Sequence, residues 1–195
     1  MMPGSKGELK WVDVNQATIG FGTASVTGVL LNGIVPGTGA SQRIGRRATF
    51  KTLNIRSTWT AGIAGANVFQ GRCKMWVVVD TQPNATIAVG SDIFVTTGQT
   101  AANALANLDN RDRFKVLAKK TCSLDQSGGT VAAFWDTNLN MKGLRTTYNA
   151  GTAGTIADIM TNAIYIVFAA ANNGGAAPTN QPQLTFTARL RYADD

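Results

Sequence analysis

Three sets of ionisable side chains carry the chemistry this sequence offers. Leu108–Phe114, LDNRDRF, interleaves Asp109 and Asp112 with Arg111 and Arg113. Carboxylates at this spacing suit a calcium ion, which takes oxygen ligands in flexible geometry, or a general acid–base pair. The arginines between them argue instead for ion pairing, within the chain or across a contact between subunits. The subunit contact is the role assigned to all four. Arg43, Arg46 and Arg47 surround Gly45 in a basic turn. Lys10, Arg72, Lys74, Arg189 and Arg191 fall on the polar parity of their strand patterns. If the first, third and last of the strands below lie in one sheet, these five share an outer face with Trp76. Such a face would hold phosphates and stack a base. The simpler reading is an ordinary solvated surface. All eight cations are candidate nucleic-acid-binding residues.

Other chemistries are excluded. The sequence has no histidine, which removes Ser-His-Asp and Cys-His catalysis and His-ligated zinc or iron. Its two cysteines, Cys73 and Cys122, are too few for a disulfide scaffold or a metal site. They occupy apolar parities of different strands, so both are expected as buried free thiols. No glycine run matches a phosphate-cradling loop. The expectation is a non-enzyme with no cofactor and no metal. Asn84-Ala85-Thr86 is a glycosylation sequon, expected to stay unused.

Net charge is +7 over 195 residues, which suits a polyanionic partner. The longest apolar run, Ala163–Ala171, is too short to span a membrane as a helix. MMPGSKGELKW lacks a signal-peptide core, so the expected location is intracellular or a virion. Glu8 is the one glutamate, while Gly, Thr, Ala and Asn are abundant. That balance disfavours long helices and favours strands joined by turns.

Period-2 alternation places eight strands. They are Glu8–Val14, Ala48–Thr60, Arg72–Asp80, Arg113–Leu124, Thr130–Leu139, Leu144–Asn149, Asn162–Ala171 and Gln183–Tyr192. In the second, Leu53, Ile55, Ser57 and Trp59 share one row, and Lys51 at its start is expected to project beyond the core. The seventh is nearly all apolar, as for a strand covered on both faces. The segment 20–45 reads as one long connection with an apolar island at Val29–Leu31. Helical turns are expected after Ser91, within 98–112 and at Ile156–Met160. Eight strands with long connections fit a jelly roll, two packed antiparallel sheets, better than an up-and-down barrel. One domain over 1–195 follows, with 1–7 a loose lead.

QRIGRRATFKTLNIRSTW, RCKMWVVVDTQPN, DIF, NLDNRDRFKVLAKKTCSLD, GTIADI and the terminal LTFTARLRY together resemble the single jelly-roll capsid proteins of circular Rep-encoding single-stranded DNA viruses, the circovirus-like group. Segments 42–59 and 111–125 are also similar to satellite tobacco necrosis virus coat protein. The resemblance implies an eight-stranded all-β jelly roll and no enzymatic activity. It implies a T=1 icosahedral shell of identical copies around a single-stranded genome, with DNA the expected nucleic acid. Virion and host-nucleus locations follow from it. These families begin with an Arg-rich arm, whereas residues 1–41 here hold only Lys6 and Lys10; nucleic-acid binding is therefore expected to be weak and sequence-independent. The alternative is a jelly-roll binding module, either lectin-like or a trimeric receptor-binding domain.

Overall fold

Alternating β-branched, aromatic and polar residues favour pleated strands, and the computed structural model contains them along most of its length. It describes residues 9–20, 27–61, 69–95, 101–125, 127–172 and 181–194. The expected lead at 1–7 and most of the expected loop at 62–71 lie outside these. The strands are β1 (Leu9–Gly20), β2 (Thr27–Leu30), β3 (Arg47–Thr60), β4 (Gln70–Asp80), β5 (Phe94–Val95), β6 (Leu105–Ala106), β7 (Phe114–Asp125), β8 (Ala132–Asn140), β9 (Arg145–Tyr148), β10 (Ile159–Thr161), β11 (Ala163–Asn172) and β12 (Gln183–Asp194). One helical turn, α1 (Gly90–Ile93), follows β4, and Asp92 Oδ2 accepts the Val89 N–H there. Ser91 lies inside this turn rather than capping it.

The strands form two main sheets, antiparallel throughout. The first runs β1–β12–β3, and two strands, the longer β8 and the short β9, share the far side of β3. There β8 lies along Thr52–Thr60 and β9 along Arg47–Thr49, with β10 beyond β9. The second sheet runs β2–β11–β4–β7. With β1, β2, β3, β4, β7, β8, β11 and β12 as the eight framework strands, this is jelly-roll order. The framework differs from the sequence reading in one exchange. The apolar island near Val29 is the edge strand β2, and the Leu144–Asn149 strand is β9, an addition to the first sheet.

The core lies between the sheets. Leu53, Ile55, Trp59, Leu184, Phe186 and Leu190 of the first sheet are buried, as are Met75, Val77, Ile164, Ile166 and Phe168 of the second. Lys51 does not project past the end of this core. It is the extra residue of a bulge: Thr52 pairs with Arg191 and Phe50 with Tyr192. Before the bulge the even residues Ala48 and Phe50 are buried; after it the odd residues are. A bulge switches parity in this way while keeping one continuous strand.

The second sheet is covered on its other face as well. Trp76 stacks on Phe94 with ring centroids 4.4 Å apart, and Ile93, Ala102 and Ala104 are buried beside them. The excursion between β4 and β7 is tied down at its base. Arg113 Nε and Nη2 donate to the two carboxylate oxygens of Asp80, each at 2.9 Å. The Asp80 side chain is fully buried. Removing Arg113 would strand that carboxylate, so this pair belongs to the fold.

A second buried network joins the sheets. Asn32 Nδ2 donates to Thr146 Oγ1 and to the Asn162 carbonyl, and its Oδ1 accepts the Ile164 N–H. Tyr148 Oη donates to the Asn32 carbonyl at 2.9 Å. These bonds satisfy backbone groups where β2 leaves the sheet, as buried polar groups require.

Candidate nucleic-acid interface

The outer face of the first sheet is a grid read directly from its register. Trp11, Arg191, Thr52 and Asn140 stand in one row across β1, β12, β3 and β8. Asp13, Arg189, Asn54 and Asn138 form the second row, and Asn15, Thr187, Arg56 and Asp136 the third. Thr185, Thr58 and Phe134 continue the fourth on β12, β3 and β8. Alternation placed these side chains outward on every strand, because their neighbours Val12, Leu190, Leu53 and Leu139 pack inward.

Charge on this face is partly spent internally. Arg189 Nε and Nη2 donate to Asp13 Oδ1 and Oδ2 at 2.7 and 2.6 Å. The guanidinium holds the Asp13 carboxyl below its ordinary value, first by hydrogen bonding. Arg56 and Arg191 are exposed and make no hydrogen bond or ion pair with the described residues. Between them lies a shallow depression of about 490 Å³ lined by Thr52, Asn54, Arg56, Asn138, Thr187, Arg189 and Arg191. Adjoining depressions continue it to Trp11 at one end and to Phe134 at the other.

The expected basic face is therefore corrected in membership. Lys10 is only 2% exposed; its Nζ pairs with Asp194 Oδ2 at 2.8 Å and donates to the Gln42 carbonyl. It points inward because its register partner is the buried Tyr192, and Val12 follows it opposite Leu190. Arg72 and Lys74 lie on β4, in the other sheet, and cannot share a surface with Arg189 and Arg191. There they form a separate basic cluster with Lys119. Burial first, then Lys119 and Arg72, hold the Lys74 ammonium below its ordinary pKa. Trp76 is no stacking platform, being sealed under Phe94.

The basic turn also divides. Arg43 is 3% exposed and donates to three carbonyls, those of Ile34, Gly45 and Gly151, at 3.1, 2.8 and 3.0 Å. Its guanidinium stacks 4.5 Å from the Tyr148 ring centroid. It organises the turn from inside, while Arg46 and Arg47 are exposed on it. Of the acidic cluster, Asp109, Arg111 and Asp112 are exposed on a short helical turn and the residues after it. Arg113 turns inward to Asp80 instead. Cys73 and Cys122 are free and stand directly opposite each other across β4 and β7. Cys73 is buried as expected, whereas Cys122 is half-buried. The hydrogen bond with Cys122, then burial, pushes the Cys73 thiol well above its ordinary pKa.

A family model described as "Geminivirus coat protein/nuclear export factor BR1 family" matches residues 5–195. The chain belongs to this family. It is a viral coat protein with a jelly-roll fold, and the family and fold point to a structural, non-enzymatic role in the virion. The coat protein is also similar to solved virus structures. That of Desmodium yellow mottle tymovirus shares 14% identity over 100% of this chain and 93% of the other, with a TM-score of 0.42. The empty head of turnip yellow mosaic virus shares 10%, over 100% and 85%, at 0.43. Cocksfoot mottle virus shares 9%, over 100% and 92%, at 0.33. At such scores the jelly-roll assignment rests on the strand order above. No curated protein matches the sequence. The circovirus-like and satellite-virus resemblance is thus met at the level of a single-stranded DNA virus coat protein, through a different family.

Sequence reasoning missed Arg56, Trp11 and Phe134 on this face. The signal for Arg56 was present, since Asn54, Arg56 and Thr58 alternate with Leu53, Ile55, Ser57 and Trp59.

Proposed function

We propose that copies of this coat protein, each one domain over 1–195, close into a T=1 icosahedral shell around single-stranded DNA. The DNA is held weakly and without regard to sequence. The observation that carries this reading is the open face of the first sheet, where Arg56 and Arg191, unpaired among the described residues, stand between asparagines and threonines. The middle strands of the second sheet, β4 and β11, are covered by the excursion after β4, while β7 stays open at the edge; this favours the first sheet as the surface turned to the genome. Arg46, Arg47, Arg72 and Lys74 are exposed or half-exposed elsewhere and add long-range attraction. Assembly in the host nucleus is part of the proposal, as is a distant architectural kinship with circovirus-like and satellite-virus coats. Electron microscopy of the purified protein with single-stranded DNA is expected to show regular small shells. Uniform monomers or trimers, across salt and pH, would overturn the reading.

Asp109, Arg111 and Asp112 support a subunit contact, because they are exposed and have no ion-pair partner among the described residues. Asp109→Ala and Asp112→Ala are each expected to weaken assembly by about 1 kcal/mol, roughly five-fold in the required protein concentration. Monomer melting should not change. Normal assembly with a less stable monomer would place the pairing inside the chain.

A further inference from the structure

The two exposed aromatic rings of the first sheet's polar face stand at opposite corners of it. Trp11 is 41% exposed on β1, and Phe134 is 72% exposed on β8. Neither ring has a stacking or cation–π partner among the described residues. Exposed rings standing beside cations on a polar face are free to stack with the bases of a single strand. The register gives their separation. They are three strands apart, about 14 Å at roughly 4.8 Å per strand, and six residues apart along the strand direction, about 20 Å at roughly 3.4 Å per residue. In the register the line between them passes over Arg189, whose charge is held by Asp13, and then over Arg56; Arg191 and Asn54 flank it along one side, and Asp136 stands beside its Phe134 end. The amides of Asn54 and Asn138 make no hydrogen bond with the described residues.

The structure assigns this diagonal as a track for a short run of single-stranded nucleic acid, with a base stacked on Trp11 at one end and on Phe134 at the other. The assignment rests on the proposed nucleic-acid function and specifies how that face would perform it. Arg191 and Arg56 hold intervening phosphates as point charges, and the free amides donate to phosphate or base oxygens. The span of about 25 Å fits about four nucleotides, the short end of the 4–16 covered by single β-domains that bind single strands. Stacking is tolerant of sequence because every base has a π-face. A second copy of the chain is a less suitable occupant, because the centre of the face is polar and carries two unpaired cations, whereas contact centres between copies are apolar.

The test uses the full chain and a fluorescein-labelled oligothymidylate, read by anisotropy from low to moderate salt. Trp11→Ala and Phe134→Ala should each weaken binding roughly ten-fold, a typical loss for one stacked base, and leave the salt slope unchanged. Arg56→Gln and Arg191→Gln should each lower that slope by about 0.7. Trp11→Leu keeps the apolar bulk and should behave as Trp11→Ala. An abasic oligomer of the same length should bind the wild type as weakly as oligothymidylate binds the double aromatic variant. If the wild type binds no oligonucleotide at low salt, the nucleic-acid reading itself fails and the track with it. If it binds, and the aromatic variants bind equally well, the track alone is wrong and the exposed Arg46–Arg47 turn becomes the site. Loss of shell assembly in Phe134→Ala with unchanged oligonucleotide affinity would assign the face to a second copy instead.

Discussion

Arg43→Ala is expected to remove a large share of the protein's stability. The guanidinium is the internal strut of the turn at 43–47, bonded to the carbonyls of Ile34, Gly45 and Gly151 and stacked on Tyr148. Truncation leaves three carbonyls without their donors: the buried one of Ile34, at about 1–3 kcal/mol for a buried group left unsatisfied, and the part-buried ones of Gly45 and Gly151, at less. With the lost stacking on Tyr148 the expected loss is about 3–4 kcal/mol, against a total stability of roughly 5–15 kcal/mol for a domain. Arg43→Lys should recover less than half, because an ammonium lacks the planar fork and the stacking surface. Arg46→Ala, three residues away but exposed, should stay within about 0.5 kcal/mol of the wild type. Urea unfolding of the three variants separates these cases. If Arg43→Ala melts like the wild type and loses nucleic-acid affinity instead, Arg43 is a ligand-binding residue and its buried geometry is irrelevant to stability.

That Arg43 is internal could not be read from RIGRR, because alternation says nothing about a turn. The strands were more legible, and where they misled the cause is specific. In ELKWVDV the two faces are nearly tied in apolarity: Leu9 and Trp11 against Val12 and Val14. The tie is broken by the partner strand, since Val12 meets Leu190 and Val14 meets Ala188, which face the core. A shift of one residue flips every side chain, so Lys10 goes in and Trp11 goes out. Lys10 survives burial because Asp194, far off in sequence, pairs with it. Arg189 and Arg191 were placed correctly because QLTFTARLRY alternates without ambiguity. Arg72 and Lys74 had the right parity on the wrong sheet, as sheet membership is a property of topology that parity does not encode. Likewise β2 is only four residues long, too short for a period to register. Phe134 was hidden by its own apolarity, since a sequence pattern reads an apolar ring as core.

Alkaline unfolding should be unusually steep. The chain has three tyrosines, Tyr148, Tyr165 and Tyr192, and all three are fully buried. Burial raises each phenol above its ordinary value; Asp80 adds to this at Tyr165 and Asp194 at Tyr192. A raised folded-state pKa means that the unfolded chain releases protons first. The stabilisation is complete below about pH 10, the unfolded value, and is lost as pH rises beyond it toward the folded values. Each tyrosine contributes about 1.4 kcal/mol per pH unit in that window. Three together approach about 4 kcal/mol per unit, so the whole domain stability is consumed within a few pH units. Absorbance at 295 nm should show no phenolate while the fold persists, then all three appearing with the loss of tryptophan emission structure. A tyrosine that ionises reversibly near pH 10 in the folded protein would contradict this. The phenylalanine variants refine the test. Tyr165 and Tyr192 hydroxyls have no hydrogen-bond partner among the described residues, so Tyr165→Phe and Tyr192→Phe should be neutral or stabilising at pH 7, because they remove an unsatisfied buried group. Tyr148→Phe forfeits the bond to the Asn32 carbonyl and should cost about 1 kcal/mol at pH 7. Each of the three should flatten the alkaline slope by about a third.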